Sequence, residues 1–102
     1  MNETTLVRNI RARLRALGAW TFKVHGGPYQ TPGLPDIIGF YHGTGFAMEV
    51  KVKPGAKPTP LQAAMLEIMK ETGGAFTACV HSVAEAEAII KEIEGWKMTH
   101  EK

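Results

Sequence analysis

The sequence predicts an α/β domain built around a four-stranded mixed sheet, with helices and strands in the order α-β-β-β-α-β-α. Apolar residues recur at helical spacing near both ends of the chain, and short apolar runs typical of strands lie between them. Gly/Pro clusters separate these runs. At 102 residues, with 44% hydrophobic and 22% charged residues, the chain suits one compact domain. We expect this domain to span residues 1–95, followed by a tail over 96–102.

The first helix and the first strand are predicted from periodicity. Within residues 3–17, Leu6, Ile10 and Leu14 follow each other at intervals of four, which places them on one helical face. A glycine directly after this segment is expected to end the helix. The next segment, 19–25, alternates apolar and other residues and is predicted to be a strand.

A long loop and a β-hairpin come next. Three glycines and three prolines exclude regular structure from residues 26–35, and loops of this length are often functional. Residues 37–41 and 46–52 are mostly apolar and are predicted to form a hairpin closed by the four residues 42–45.

Capping signals mark the last two helices. Residues 59–62 form a capping box, with Thr at N-cap, Pro at N1 and Gln at N3, before a helix that reaches about residue 72. Residues 76–80 are predicted to be a strand. A second capping box at 82–85 starts a last helix, which Gly95 is expected to end.

The charge is unevenly distributed along the chain. The first 60 residues carry eight Lys and Arg against three Asp and Glu, whereas the remaining residues carry four against seven. A basic half next to an acidic half favours an anionic partner, although surface charge alone explains the asymmetry equally well.

Several classes of protein are excluded by missing signals. A single cysteine, Cys79, forms no internal disulfide, and the N-terminus shows no apolar secretory segment. No apolar run is long enough to cross a membrane, no phosphate-binding loop for a nucleotide cofactor is present, and the four histidines lack zinc-site spacing. We therefore expect a cytoplasmic protein with no membrane partner and no nucleotide cofactor.

Three charged residues of the predicted hairpin are expected to share one face of the sheet. Glu49 and Lys51 are two apart on one strand, and a flush hairpin places Asp36 opposite Lys51 and diagonal to Glu49. Two carboxylates so placed suit a hard divalent cation, with the lysine alongside. The alternative is a surface salt bridge between Asp36 and Lys51, but the otherwise apolar strand argues against it.

A third carboxylate is suggested by the first helix. Glu3 precedes Leu6 and Val7 by three and four residues, which places it on the apolar stripe. A carboxylate on a buried face is costly unless it is paired or bound to metal. The alternative is that Glu3 lies in an exposed first turn, where the helix dipole favours it.

These motifs together resemble the VRR-NUC (virus-type replication-repair nuclease) family of the PD-(D/E)xK nuclease superfamily. The resemblance rests on an acidic residue in the first helix, on Gly33-Leu34-Pro35-Asp36, on Glu49-Val50-Lys51, and on Gln62 at the start of the following helix. It covers nearly the whole chain, and the family's restriction-endonuclease-like fold agrees with the predicted order of elements.

The resemblance implies metal-dependent cleavage of phosphodiester bonds. Asp36 and Glu49 would bind Mg²⁺ or Mn²⁺, with the backbone carbonyl of Val50 and the carboxylate of Glu3 completing the site. Lys51 would orient the attacking water and stabilise the transition state. Gln62 would position water or phosphate, although the capping box alone explains this glutamine almost as well.

Basic residues supply the expected contacts to DNA phosphates. Three arginines recur along one face of the first helix, and two lysines lie in the loop after the hairpin: Arg8, Arg11, Arg15, Lys53 and Lys57. Arg13, on the same helix, is also expected to contribute to this positively charged track along the phosphates. The alternative is a solvated helix face.

The resemblance implies a structure-specific DNA endonuclease, in a bacterial or phage-infected cell. Short stand-alone members of the family resemble homodimeric four-way (Holliday) junction resolvases, and two symmetric cuts need the two sites of a two-fold dimer. The alternatives are a monomeric flap or general structure-specific nuclease, a nucleic-acid-binding module without catalysis, and a scaffold or toxin-like interaction protein. A dimer contact is expected away from the arginine face, with the loop 26–35 or the tail carrying Trp96 and Met98 as candidates.

Overall fold

The computed structural model describes residues 1–28 and 30–100. Its elements follow the predicted order and form a four-stranded sheet flanked by helices, which confirms the predicted fold class. The elements are α1 (Glu3–Ala16), β1 (Trp20–Lys23), β2 (Ile37–Tyr41), β3 (Thr44–Val50), α2 (Pro60–Glu71), β4 (Phe76–Val80) and α3 (Val83–His100).

The sheet is mixed and its strands lie in chain order. β1, β2 and β3 form an antiparallel meander. Since α2 lies between β3 and β4 in the chain, the fourth strand returns in the direction of the third and pairs with it in parallel. The sheet order is therefore β1-β2-β3-β4.

The main core lies between the sheet and the pair α1 and α3. The periodic apolar residues of α1 are all buried there, together with the face of β3 that carries Phe46, Met48 and Val50. The other face of the sheet is covered by α2 over β3 and β4 only. Residues of β3 at alternate positions, including Glu49, point to this second face. We call it the α2 face.

The hairpin between β2 and β3 is tighter than predicted. Tyr41 lies opposite Thr44, so the turn consists of His42 and Gly43, and both have positive φ angles (46° and 84°). Two such residues match the twist of the strands better than a wider loop. The predicted four-residue closure is wrong, and every cross-strand partner shifts by two residues. A shift of two leaves each side chain on its predicted face.

The last helix is longer than predicted. Gly95 does not end α3, which continues to His100. The ring of Trp96 packs edge-on against Phe76 at 6.2 Å, and Lys97 donates to the carbonyl of His42 at 3.0 Å. These tertiary contacts offset the weak helix propensity of one glycine. The final two residues of the predicted tail lie outside the described residues.

Among the described residues, no helix combines the length and apolar character required to cross a membrane.

Candidate active site

Asp36 and Glu49 meet on the α2 face of the sheet. Paired residues of β2 and β3 have numbers that sum to 85, and the same sum places Asp36, directly before β2, opposite Glu49. The two carboxyl groups lie close enough for Asp36 to raise the pKa of Glu49 through hydrogen bonding and through its charge. Asp36 is also held by the backbone, because its Oδ2 accepts from the N–H of Val50 at 2.8 Å. The register differs from the predicted one, yet it brings these carboxyls closer together.

Glu49 is the only charged residue buried among the described ones, at 2% exposure. Its Oε2 has no hydrogen-bond partner there. Burial, together with the hydrogen bond and the charge of Asp36, raises the pKa of Glu49 to about 8. The positive charge of Lys51 opposes this pKa shift, and the charge of Glu3 adds a small increase. The site thus holds negative charge at a high energetic cost.

Lys51 lies next to this pair without neutralising it. β3 ends at Val50, and the N–H of Lys51 donates to the carbonyl of Val80 at 3.0 Å, which keeps the residue aligned with the strand. The lysine is half-buried. Within the described residues it forms no ion pair with Asp36 or Glu49, so the alternative of a simple salt bridge is wrong.

Glu3 lies at the exposed start of α1. The expectation that it sits on a buried face is wrong, because the first helical turn projects beyond the core that covers Leu6 and Val7. Its charge still acts on Glu49. No group of three or more His, Cys, Asp or Glu side chains in the described part of the chain is close enough to hold a metal ion. The structure therefore brings two of the three predicted carboxylates together and leaves the third at the edge.

Gln62 completes the capping box of α2. Its Oε1 accepts from the N–H of Thr59 at 2.9 Å, and its own N–H donates to the Thr59 hydroxyl at 3.2 Å. Both partners are within the helix start, so the structural role of this glutamine is visible directly.

Comparison with solved structures identifies the fold of this chain. A structure described as a VRR_NUC domain superposes with a TM-score of 0.71 and 26% sequence identity, covering 87% of this chain and 94% of that one. The chain has a VRR-NUC-like nuclease fold. Hjc, a Holliday junction resolvase from Archaeoglobus fulgidus, shares the fold at a TM-score of 0.61 and 20% identity, over 74% of this chain and 64% of Hjc. Neither the family models nor the curated proteins searched contain a match.

The donor set of this site fits a hard divalent cation. Asp36 and Glu49 present carboxylate oxygens, which Mg²⁺ and Mn²⁺ prefer. The buried, unpartnered Oε2 of Glu49 is an oxygen in need of a positive partner. A cation held by Asp36 and Glu49 would offset the negative charge that burial disfavours at Glu49.

The predicted phosphate-binding residues divide into separate groups. Arg8, Arg11 and Arg15 line one pocket on α1. Arg13 instead forms an ion pair with Glu87 of α3. Its position therefore does not support a contact with DNA. The two lysines predicted in the loop before α2, Lys53 and Lys57, are exposed. Lys23, which the sequence reasoning missed, joins the pocket on α1. Strand alternation could have found it, since Lys23 shares the face of Thr21 towards that helix.

His81, which the sequence analysis did not single out, contacts the loop before α2 that carries Lys53 and Lys57. His81 Nε2 lies 2.7 Å from the carbonyl of Ala56, and its Nδ1 lies 3.0 Å from Glu85 Oε1. These two contacts raise the pKa of His81, because the charged ring donates to both acceptors. The spacing of four residues between His81 and Glu85 was the available sequence signal.

An aromatic patch lies on the α2 face where no helix covers the sheet. Trp20, Phe22 and Phe40 are each more than half exposed. The Trp20 ring is 6.4 Å from that of Phe22 and 6.2 Å from that of Phe40. An apolar groove of about 200 Å³, lined in part by Ile38 and Met69, adjoins this patch. Exposed aromatic surface of this kind is typical of a contact surface.

Proposed function

We propose that the protein is a metal-dependent DNA endonuclease that cuts branched DNA as a homodimer. The observation that carries the proposal is the pair Asp36 and Glu49, of which Glu49 is buried with one unpartnered carboxyl oxygen, beside Lys51. The VRR-NUC-like fold supports a structure-specific nuclease.

The proposed metal site uses groups that are already oriented. Asp36 and Glu49 would hold Mg²⁺ or Mn²⁺, with the Val50 carbonyl and Glu3 as further ligands. The hydrogen bond from the Val50 N–H fixes the Asp36 carboxylate before any cation binds. Such a cation lowers the pKa of a bound water and neutralises negative charge on the phosphate.

Lys51 supplies a separate electrostatic contribution. Lys51 is half-buried, and it forms no ion pair with Asp36 or Glu49 in the described part of the chain. In this position it orients the attacking water and donates to phosphate oxygens as their charge grows in the transition state. Gln62 is proposed to position water or phosphate through its amide nitrogen, since its oxygen is used in the capping box.

The homodimer is proposed to form through the aromatic patch. Trp20, Phe22 and Phe40 lie on the α2 face, and the arginines of α1 lie on the opposite side of the sheet. A contact confined to this patch leaves the arginines open to DNA, and it must also leave exposed the pair Asp36 and Glu49, which lies on the same α2 face. The structurally similar Hjc is a Holliday junction resolvase, and two cuts on such a junction call for two active sites related by a two-fold axis.

Cleavage is tested with labelled four-way junction, flap, duplex and single-stranded substrates of DNA, with one RNA duplex, in Mn²⁺, Mg²⁺ or EDTA. The wild type is expected to cut the junction only with a divalent cation. Lys51→Ala should lower the cleavage rate by about 100-fold or more, while DNA binding changes little. Lys70→Ala, at the exposed end of α2, is the matched control. Cleavage by Lys51→Ala at the wild-type rate would refute the assigned site.

Assembly is tested by light scattering at micromolar concentration. We expect twice the chain mass of 11.2 kDa for the wild type and the single chain mass for Trp20→Ser with Phe40→Ser. A wild-type monomer that nicks flaps and ignores junctions would instead establish the flap nuclease. A protein that binds branched DNA and cuts none of the substrates would be a non-catalytic binding module.

A further inference from the structure

We propose that the pocket between α1 and β1 binds one backbone phosphate of the DNA substrate, away from the phosphate that is cut. This inference rests on the proposed nuclease function. The pocket has a volume of about 280 Å³, and its lining includes four basic residues and no acidic one: Arg8, Arg11, Arg15 and Lys23. Its remaining lining residues are Thr4, Val7 and Ala12.

Among the described residues, no ion pair balances the positive charge of this pocket. In the described part of the chain, none of its four basic residues forms an ion pair. The neighbouring Arg13, only two residues from Arg11 and Arg15, is neutralised by Glu87. Like charges gathered in one pocket repel each other, so the pocket favours an anionic occupant.

One wall of the pocket is held rigidly. Arg11 Nε donates to the hydroxyl of Thr21 at 3.1 Å, and its Nη2 donates to the Thr21 carbonyl at 3.4 Å. Thr21 is itself buried, at 8% exposure. An arginine fixed in this way loses little conformational entropy on binding a ligand, which favours phosphate recognition.

The pocket lies on the opposite face of the sheet from the carboxylates, so it would take a phosphate other than the one that is cut. Lys23 pairs with Ile37, the residue after Asp36, but alternation places it on the opposite face from Asp36. Measured along the axis of α1, Arg8 lies about 7.5 Å and Arg15 about 18 Å beyond Glu3, at the helical rise per residue. The pocket thus adjoins the end of the sheet that carries Asp36, and a strand cut at Asp36 and Glu49 would place another of its phosphates there.

The first experiment measures junction binding by fluorescence anisotropy in EDTA between 50 and 300 mM salt. Replacing Arg8, Arg15 and Lys23 together by Gln should weaken binding about tenfold or more and lower the salt slope by about 1 to 2. Arg13→Gln is the matched control and should change neither. The charge-retaining variant with Lys in place of Arg8 and Arg15 should keep the wild-type salt slope, which separates charge from packing.

The second experiment removes the charge from the DNA instead. A scan with methylphosphonates, one position at a time, should find a phosphate away from the cut whose neutralisation weakens wild-type binding. The same substitution should have no further effect on the triple Gln variant, because the contact is already lost.

The outcomes separate this inference from the proposed function. Two results would overturn the phosphate pocket and leave wild-type cleavage unaffected. One is that the effects of the methylphosphonate and of the triple Gln variant on binding add at every scanned position. The other is that the triple variant keeps the wild-type affinity and salt slope. A wild type that binds no DNA at 50 mM salt overturns both proposals.

Discussion

Replacing Glu49 by Gln should stabilise the metal-free protein, and the gain should grow with pH. The folded protein buries this carboxyl at 2% exposure beside Asp36, with one oxygen unpartnered. The unfolded chain exposes it to water. Glutamine has nearly the same shape, carries no charge, and its amide group donates to the Asp36 carboxylate.

The magnitude and sign follow from the pKa of Glu49, which folding raises from 4.5 to about 8. A raised carboxyl pKa means that its contribution to stability is fully present below pH 4.5 and is lost as the pH rises through 8. At about 1.4 kcal/mol per pH unit, the ionisable carboxyl lowers the free energy of unfolding by roughly 3 kcal/mol at pH 7. For a domain of this size, that corresponds to a shift in Tm of about 10 °C or more.

The assay is urea and thermal unfolding of the wild type and Glu49→Gln in EDTA, at intervals from pH 4.5 to 9. The difference in stability should be small at pH 4.5, increase through pH 7 and level off above pH 8. Glu67→Gln, on the exposed side of α2, is the control and should follow the wild-type curve. Added Mn²⁺ should raise the Tm of the wild type and leave that of Glu49→Gln nearly unchanged.

Two results would refute this reasoning. Parallel stability curves for the wild type and Glu49→Gln across the pH range would mean that the carboxyl is not buried at a cost. An equal Mn²⁺ effect on both proteins would mean that Glu49 does not bind the cation.

Three further predictions concern the supports of the site. Folding raises the pKa of His81, so the stability that this histidine contributes is present below its unfolded pKa and is lost as the pH rises through its folded pKa. His81→Ala should therefore flatten this part of the curve of stability against pH, as measured by urea unfolding from pH 5 to 9. Gly39→Ala should destabilise the fold by about 2 kcal/mol or more, since its Cβ would lie 2.4 Å from a backbone oxygen of β1, whereas Gly95→Ala in the open side of α3 should stabilise it by about 0.5 to 1 kcal/mol. Gln62→Glu should keep the capping box and the Tm; a lower cleavage rate with unchanged Tm would assign Gln62 to the reaction, and an unchanged rate would limit it to capping.

The sequence by itself determined the order of the elements and the face on which Asp36, Glu49 and Lys51 lie. Both depend on local periodicity, with intervals of four in α1 and alternation along β3. The predicted face is correct although the predicted hairpin register is wrong, because a shift of two residues leaves the alternation of side chains unchanged.

Only the tertiary structure decided how these residues meet. The turn at His42 and Gly43 set the register that places Asp36 opposite Glu49, and it depends on positive φ angles that composition does not specify uniquely. Packing of Trp96 on Phe76 supports α3 beyond its glycine. The assembly of Lys23 with the arginines of α1 joins residues distant in sequence, and contacts of this kind arise from how helix and sheet pack, which local periodicity does not encode.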